Sequence, residues 1–520
     1  MCSASTSSCA PTASSSSTAT ARTYHQLDLK AGYARETSDE TYTGLTDADF
    51  AVNPLRRYAG TALDQMSWDH VRLRADHRVE LGTRRRFVTT AYRTWFHRAW
   101  GKVDAFVGQR NFLDVVAHPD LGANPIFYSL LTGALDSQAP EDELLRGTND
   151  RTFLAQGIQT IYTAEETWGP TSHQLDAGVR LHHDDADRKR WEDGYLMMAG
   201  ALVRSQRPRL DVLDSLAETL ALAVHVQDRV RWRRIEVTGG VRVEALHQTF
   251  HDFIRDEGDP TLVVTNDDVV VIPGGGVTIE ATDELSVLAG VYRGYLPASP
   301  SAEVAPTPEL SINYEAGGRW RSRHLSLDAI GFFSDYANLK ATCTLSAGCT
   351  PQHEGEQFDG GKVRIWGVEV QGSAEVPLGG GWRAPIDLAY TWTETRFDTA
   401  FRSNFGAWGE VVDGDEMPYL PAHQLAVSAA IATPRFELGT AIRWHGESRD
   451  IAGQGPIPAL ERAAPLLTVE VNGHLQLPAG FELYGTVDNL FDERVIVSRR
   501  PYGARPNSPR LFTLGCKAHF

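Results

Sequence analysis

The sequence predicts an all-β chain, an antiparallel transmembrane β-barrel of about 18 strands. The C-terminal stretch Arg510–Phe520 alternates strictly: Phe512, Leu514, Cys516, Ala518 and Phe520 fall on one face, and Thr513, Gly515, Lys517 and His519 on the other. A strand has a side-chain period of two, so this segment sets an apolar face against a small or polar one, as a strand between lipid and water must. The strand-like segments before it are separated by gaps that are by turns short and long. No run reaches the roughly 18 to 20 apolar residues of a membrane helix; the purest short run is Leu220–Val224.

Residues 1–23 are a Ser/Thr/Ala-rich stretch without the basic start and apolar core of a secretory signal, and they are expected to be disordered. The barrel pattern occupies 24–520. Its first strand carries Leu27, Leu29, Ala31 and Tyr33, and a long polar segment follows to about residue 67. Val71 to Leu81 turns at Gly82–Arg85 into Arg86–Phe96, and a very long link runs to about residue 150. Strands near 151–163 and 173–183 join through Thr167–Ser172. Leu216–Val226 and Arg234–Leu246 join around Gln227–Val230, and Val277–Ile279 turns at Ala281–Asp283 into Leu285–Val291.

The remaining pairs are Glu309–Ala316 with Leu325–Phe333 through Gly317–Arg319, Val363–Val376 with Ile386–Phe397 through Pro377–Gly381, Leu425–Ile431 with Phe436–Trp444 at Thr433–Pro434, and Leu467–Leu477 with Phe481–Val487 at Pro478–Gly480. Proline, glycine and aspartate stand where tight hairpin turns need them. A soluble sandwich spaces its turns more evenly, whereas outer-membrane barrels have short periplasmic turns and long extracellular loops. Counted back from Phe520, the short turns share a periplasmic end and the nine long segments an extracellular one. Trp68, Trp95, Trp100, Trp168, Trp232, Trp320, Trp382 and Trp444 fall near strand ends, as two interfacial girdles or as ordinary sheet-end core.

The formal charge of −17, from 67 acidic and 50 basic residues, argues against a nucleic-acid partner, since phosphate binding needs clustered positive potential. Gly274–Gly276 lacks the Lys-Ser/Thr continuation of a phosphate loop. Neither a Gly-x-Ser-x-Gly elbow nor a His-Glu-x-x-His run occurs, so the sequence does not read as an enzyme, and it predicts neither a metal site nor a cofactor. Cys343 and Cys349 flank a polar turn and form a disulfide candidate, the alternative being two unpaired thiols.

Several segments together resemble the barrel of TonB-dependent outer-membrane receptors for ferric siderophores and related chelates. They are Tyr484–Asp492, containing Val487-Asp-Asn-Leu-Phe-Asp492, ahead of the terminal strand; Pro308–Gly317; Tyr292–Pro300; and Phe358–Glu369 with its Gly367-Val-Glu369 step. Glu36–Phe50 with Asn53–Tyr58 is similar to the ferric-citrate branch. The resemblance spans about residues 24–520. It implies a receptor and transporter of an iron chelate in the cell outer membrane, embedded in its lipid and energised through TonB, ExbB and ExbD, with the ferric chelate as cargo. Receptors of this kind close about 22 strands around a plug. No plug, TonB box or export signal is visible in this sequence, and about four N-terminal strands are expected to be absent. A passive porin-like barrel or a non-functional remnant is the alternative.

An anionic, oxygen-rich chelate calls for Arg, His, Gln or aromatic groups at the extracellular mouth, with Arg best suited to carboxylates through paired hydrogen bonds. Arg93, His97, Arg98, Arg188, Arg190, Arg499 and Arg500 lie near predicted extracellular ends and are the candidate chelate-binding residues, each weighed against an ordinary surface charge. His182 and His183 are adjacent on a strand and point to opposite faces, so they do not share one ion.

Overall fold

The computed structural model describes residues 13–14, 23–107, 112–254, 262–300, 307–344, 349 and 357–518. Among the described residues eighteen strands form one antiparallel meander, whose sheet also holds the short strands Ala13–Ser14 and Ala201–Arg204. The eighteen are β1 Thr23–Ser38, β2 Gln65–Leu81, β3 Arg85–Phe106, β4 Leu144–Trp168, β5 Thr171–Met198, β6 Leu210–Trp232, β7 Ile235–Asp252, β8 Leu262–Glu280 and β9 Leu285–Leu296; then β10 Glu309–Arg321, β11 Leu325–Tyr336, β12 Val363–Gly379, β13 Trp382–Phe397, β14 His423–Ala432, β15 Phe436–His445, β16 Leu466–Gln476, β17 Phe481–Asp488 and β18 Leu511–Ala518. Each pairs with the next. All the short turns fall at one end of the barrel and all nine long connections at the other.

Register explains the two faces. Residues directly opposite one another share a side of the sheet, so the row Leu29, Ala75, Ala91, Ile158, Leu181, Leu222 lies on one surface across six strands. That apolar surface is the barrel's outside, and Arg74, Asp76, Thr90 and Arg180 face the inside. Trp168, Trp232, Trp320 and Trp382 stand exposed on the outside by the short turns, with the exposed Trp95 and the half-buried Trp444 on the outside nearer the other end. Trp68 and Trp100 instead point inward and do not belong to a girdle.

Two turns differ from the sequence reading. Gln227 and Asp228 continue the ladder opposite Gly240 and Gly239, and the chain reverses at Arg233, whose φ of 52° supplies the turn. Gly317 and Gly318 sit inside β10, opposite Ile330 and Ala329, and the reversal comes at 322–324. A Cβ on Gly317 would collide with the Ala329 carbonyl, so this glycine serves close strand approach rather than a turn.

Strand length is uneven. A tilted strand crosses the apolar layer in about 9 to 11 residues. β14–β18 have 8 to 11, whereas β4, β5 and β6 have 25, 28 and 23. One side of the wall therefore rises well beyond the lipid-spanning zone. Against its upper edge pack α1 Asp47–Val52, α2 Phe112–Ala117 and α3 Asn124–Thr132. Their loops bury Tyr42, Leu45, Tyr58, Phe106, Leu130 and Tyr502 in one apolar core. A second loop core gathers Leu339, Val363, Phe397, Trp408 and Val411. Cys343 and Cys349 are joined by a disulfide, with Cα atoms 5.8 Å apart.

The seam lies between β18 and β1. Among the described residues β18 pairs only with β17, and β1 carries on its other edge the short strand Ala13–Ser14, opposite Leu29 and Asp28. Those two residues and Thr23, the first residue of β1, are thus strand; the rest of 1–23, expected to be disordered, lies outside the described residues, as do His519 and Phe520. Phe512 is 71% and Leu514 87% exposed, against 41% for Leu483 on the neighbouring strand, which is how an edge strand differs from a paired one. Above the seam the first and last long loops meet. The Leu45 N–H donates to the Ala504 carbonyl at 2.9 Å and the Ala504 N–H returns a bond to Leu45 at 2.7 Å.

Candidate functional site

The seven candidate residues separate into distinct places. Arg499 and Arg500 line a cavity of about 580 Å³ between the loops. Arg499 donates to Asp47 at 2.7 and 3.2 Å and to the Arg462 carbonyl at 3.0 Å, so its guanidinium is committed to tying loops together. Arg500 lies 3.5 Å from Asp450, whose carboxyl is pushed up by burial against the opposing pull of Arg500. Asp47, Asp114, Asp450 and Glu461 line this cavity against the two arginines and His118. An excess of carboxylates is unsuited to an anionic ligand.

Arg190 is 1% exposed and ion-paired with Asp104 at 3.0 Å and Glu192 at 2.8 Å. It is a buried structural cation rather than a group at the mouth. His97 faces outward and bonds Asp150 at 2.8 Å. Arg93 also faces outward, between Leu73 and Gln156, and does not reach the lumen.

Arg98 and Arg188 are brought together. Arg98 of β3 stands directly opposite Arg151 of β4, and Arg151 directly opposite Arg188 of β5. The three share the inner face, and adjacent strands lie about 4.8 Å apart, so the three positions span roughly 10 Å of wall. Glu36 and Trp68 continue the row on one side, and Ser215 and Asp252 on the other. Arg151 is 17 residues from the end of β4 and lies in the part of the wall that rises above the span a membrane strand needs. Like charges directly opposed weaken strand pairing. The sequence reading missed Arg151, and only strand register reveals it: the three are far apart in the chain, and no local motif joins them.

Aromatic groups floor this row. Two residues below, Phe96 and Phe153 stack at 6.2 Å, with Trp68 and His70 against Phe96 at 5.9 and 5.5 Å. Above it Trp100 meets Arg98, whose guanidinium carbon is 5.8 Å from the ring centroid. Deeper on the same wall the Tyr92 hydroxyl and His182 Nδ1 are 2.6 Å apart, and Arg180 Nε donates to Tyr92 at 3.0 Å. His182 points inward and His183 outward, and both sit well within β5 rather than at a loop edge. Gly157 is required here, since a Cβ would lie 2.6 Å from both the Tyr92 hydroxyl oxygen and the Leu181 carbonyl. The inner surface thus offers a cationic row over a flat aromatic face, which suits an oxygen-rich anion with a planar or apolar body.

Comparison with known proteins places this barrel. Residues 12–490 match the family described as "TonB dependent receptor-like, beta-barrel". The chain is 24% identical over 318 residues to the pesticin receptor of Yersinia pestis, in 57% of this chain and 42% of the receptor, so the match spans about two-fifths of that protein's length. Among solved structures, the ferric citrate transporter FecA superposes with a TM-score of 0.67 at 15% identity, covering 95% of this chain and 68% of that one. The siderophore receptor PiuA from Acinetobacter baumannii superposes with a TM-score of 0.70 at 13% identity, covering 95% and 72%. At such identities the structural likeness is one of fold.

Proposed function

We propose a function from the premise that this chain belongs to the TonB dependent receptor-like β-barrel family, a family of outer-membrane receptors rather than enzymes. In this reading the chain is an outer-membrane receptor for an anionic, oxygen-rich ferric chelate, of the ferric citrate or carboxylate-siderophore kind, with uptake energised through TonB. The Arg98–Arg151–Arg188 row carries the reading. A guanidinium is a planar fork of donors that matches a carboxylate, and the Phe96–Phe153 face beneath excludes water from one side of the ligand. The carboxylates outnumbering arginines in the loop cavity disfavour that cavity as the capture site. The wall row is then where the chelate rests.

Equilibrium binding to the full chain in detergent, followed by intrinsic fluorescence, tests this. Ferric citrate is expected to bind at least about tenfold more tightly than a neutral ferric trihydroxamate, with the difference shrinking as salt is raised. Equal affinity for the two, insensitive to salt, would overturn the reading. The alternative, a passive porin-like pore, draws on the polar inner face of a wide barrel. Steady ion conductance across planar bilayers without chelate binding would favour it.

A further inference from the structure

The candidate arginine that faces outward points to a second ligand. We propose that the outer surface of β2–β5 is a binding site for the phosphate of an anionic lipid, with Arg93 as the phosphate ligand and an adjacent groove as the seat of an acyl chain. Arg93 shares the apolar outer surface with Leu73, Gln156 and His183, which stand opposite one another in register. Beside it runs an open groove of about 800 Å³, where the small side chains of Ala31, Ala75 and Ala91 leave a depression between Leu73, Ile158 and Leu181.

Height along the barrel fits a headgroup. Arg93 is eight residues above the first residue of β3. At about 3.4 Å per residue and a tilt near 40°, that is roughly 21 Å above the short-turn end, close to the top of an apolar band about 25 Å tall. Trp95 is the next outward residue on β3, and Tyr33, two strands away, donates its hydroxyl to Asp69 at 2.6 Å. Tyrosine, tryptophan and the first outward carboxylate mark the level where lipid gives way to water.

Charge supplies the second argument. Among the described residues no hydrogen bond or ion pair engages Arg93. Arg293, beside another outer groove, by contrast donates to the Val271 carbonyl at 3.1 Å, and His183 lies 3.9 Å from Glu218. A guanidinium on the lipid face is costly at the bilayer midplane and nearly free at the interface, and its stem can rise toward the headgroups. A phosphate there accepts two of its donors, and the Gln156 amide stands next to it to supply another.

Native mass spectrometry of the full chain, released from micelles holding equal amounts of dioleoyl phosphatidic acid and dioleoyl phosphatidylcholine, reads this site. The choline of the second lipid neutralises its own phosphate. The wild-type chain is expected to retain phosphatidic acid at least about threefold over phosphatidylcholine in the one-lipid complex. Arg93→Gln should bring that ratio to one, Arg93→Lys should keep part of it, and the inward-facing Arg72→Gln should leave it unchanged. A wild-type ratio of one, a preference that survives Arg93→Gln, or an equal loss in Arg72→Gln would each overturn the proposal.

Discussion

Arg499 and Asp47 are 452 residues apart in the chain and meet through two N–O contacts of 2.7 and 3.2 Å. The arginine side chain is buried and the aspartate half exposed. The pair fastens the loop after β1 to the loop before β18, above the seam where those two strands are not paired with each other among the described residues. Arg505 adds bonds to the Thr41 and Tyr42 carbonyls, and the Leu45–Ala504 pair adds two more.

Arg499→Ala is expected to weaken this clasp by about 2 kcal/mol, the usual worth of a hydrogen-bonded charge in a partly buried setting. Hydrogen exchange is the appropriate measurement. The Leu45 and Ala504 amides should lose protection, while amides in β10–β13 stay as they are. Unchanged protection at Leu45 and Ala504 would show that the backbone bridge holds without the ion pair.

Asp64, just before β2, is pushed up to about 7 by burial, against the lowering effect of its hydrogen bonds with Thr41 and the Val103 N–H, which donates at 2.9 Å, and of Arg57 and Arg146. Its ordinary value is 3.8. The folded state therefore holds the proton more tightly than the unfolded state does. The resulting stabilisation is complete below about pH 4 and is lost as pH rises toward 7. Melting of the loop core measured from pH 5 to 8 should show stability falling across this window, and Asp64→Asn should flatten that part of the profile. A wild-type profile rising with pH by the same Asp64-dependent amount would contradict the assignment.

Arg190 separates a structural cation from a ligand-binding one. Removing it takes a buried guanidinium away from the Asp104 and Glu192 carboxylates, at a cost of about 3 to 5 kcal/mol. Arg190→Ala should lower the temperature at which the folded band converts to the unfolded one in gel electrophoresis, and Arg190→Met with Asp104→Leu should recover most of the loss. Chelate affinity per folded molecule should stay within about twofold of wild type in the double variant, because neither residue belongs to the arginine row.

The barrel's strand number and its short and long connections were legible in the sequence because alternation is a local signal, repeated along the chain. Errors arose where local signals compete. Glycine reads as a turn, yet Gly317 serves strand contact, and Arg233 takes the left-handed turn conformation with no glycine to announce it. The heights of β4 and β5 were underestimated, since polar residues on both faces above the lipid, such as Asp185 and Arg188, erase the apolar alternation that marks a strand. The candidate site was half legible. Residue type alone makes Arg98 and Arg188 candidates, while Arg151 and the inward aromatic floor depend on register between strands distant in sequence. The outward Arg93 was misplaced because a single strand does not say which face is the lumen once a charge interrupts it.

The central claim is that the three arginines act as one anion-binding row, and Arg151→Gln tests it most directly, since this residue stands at the middle of the row. Isothermal titration of ferric citrate into the full chain should show affinity falling about 10- to 100-fold in this variant, the equivalent of losing one charged hydrogen-bonding group. Wild-type affinity in Arg151→Gln would contradict the account.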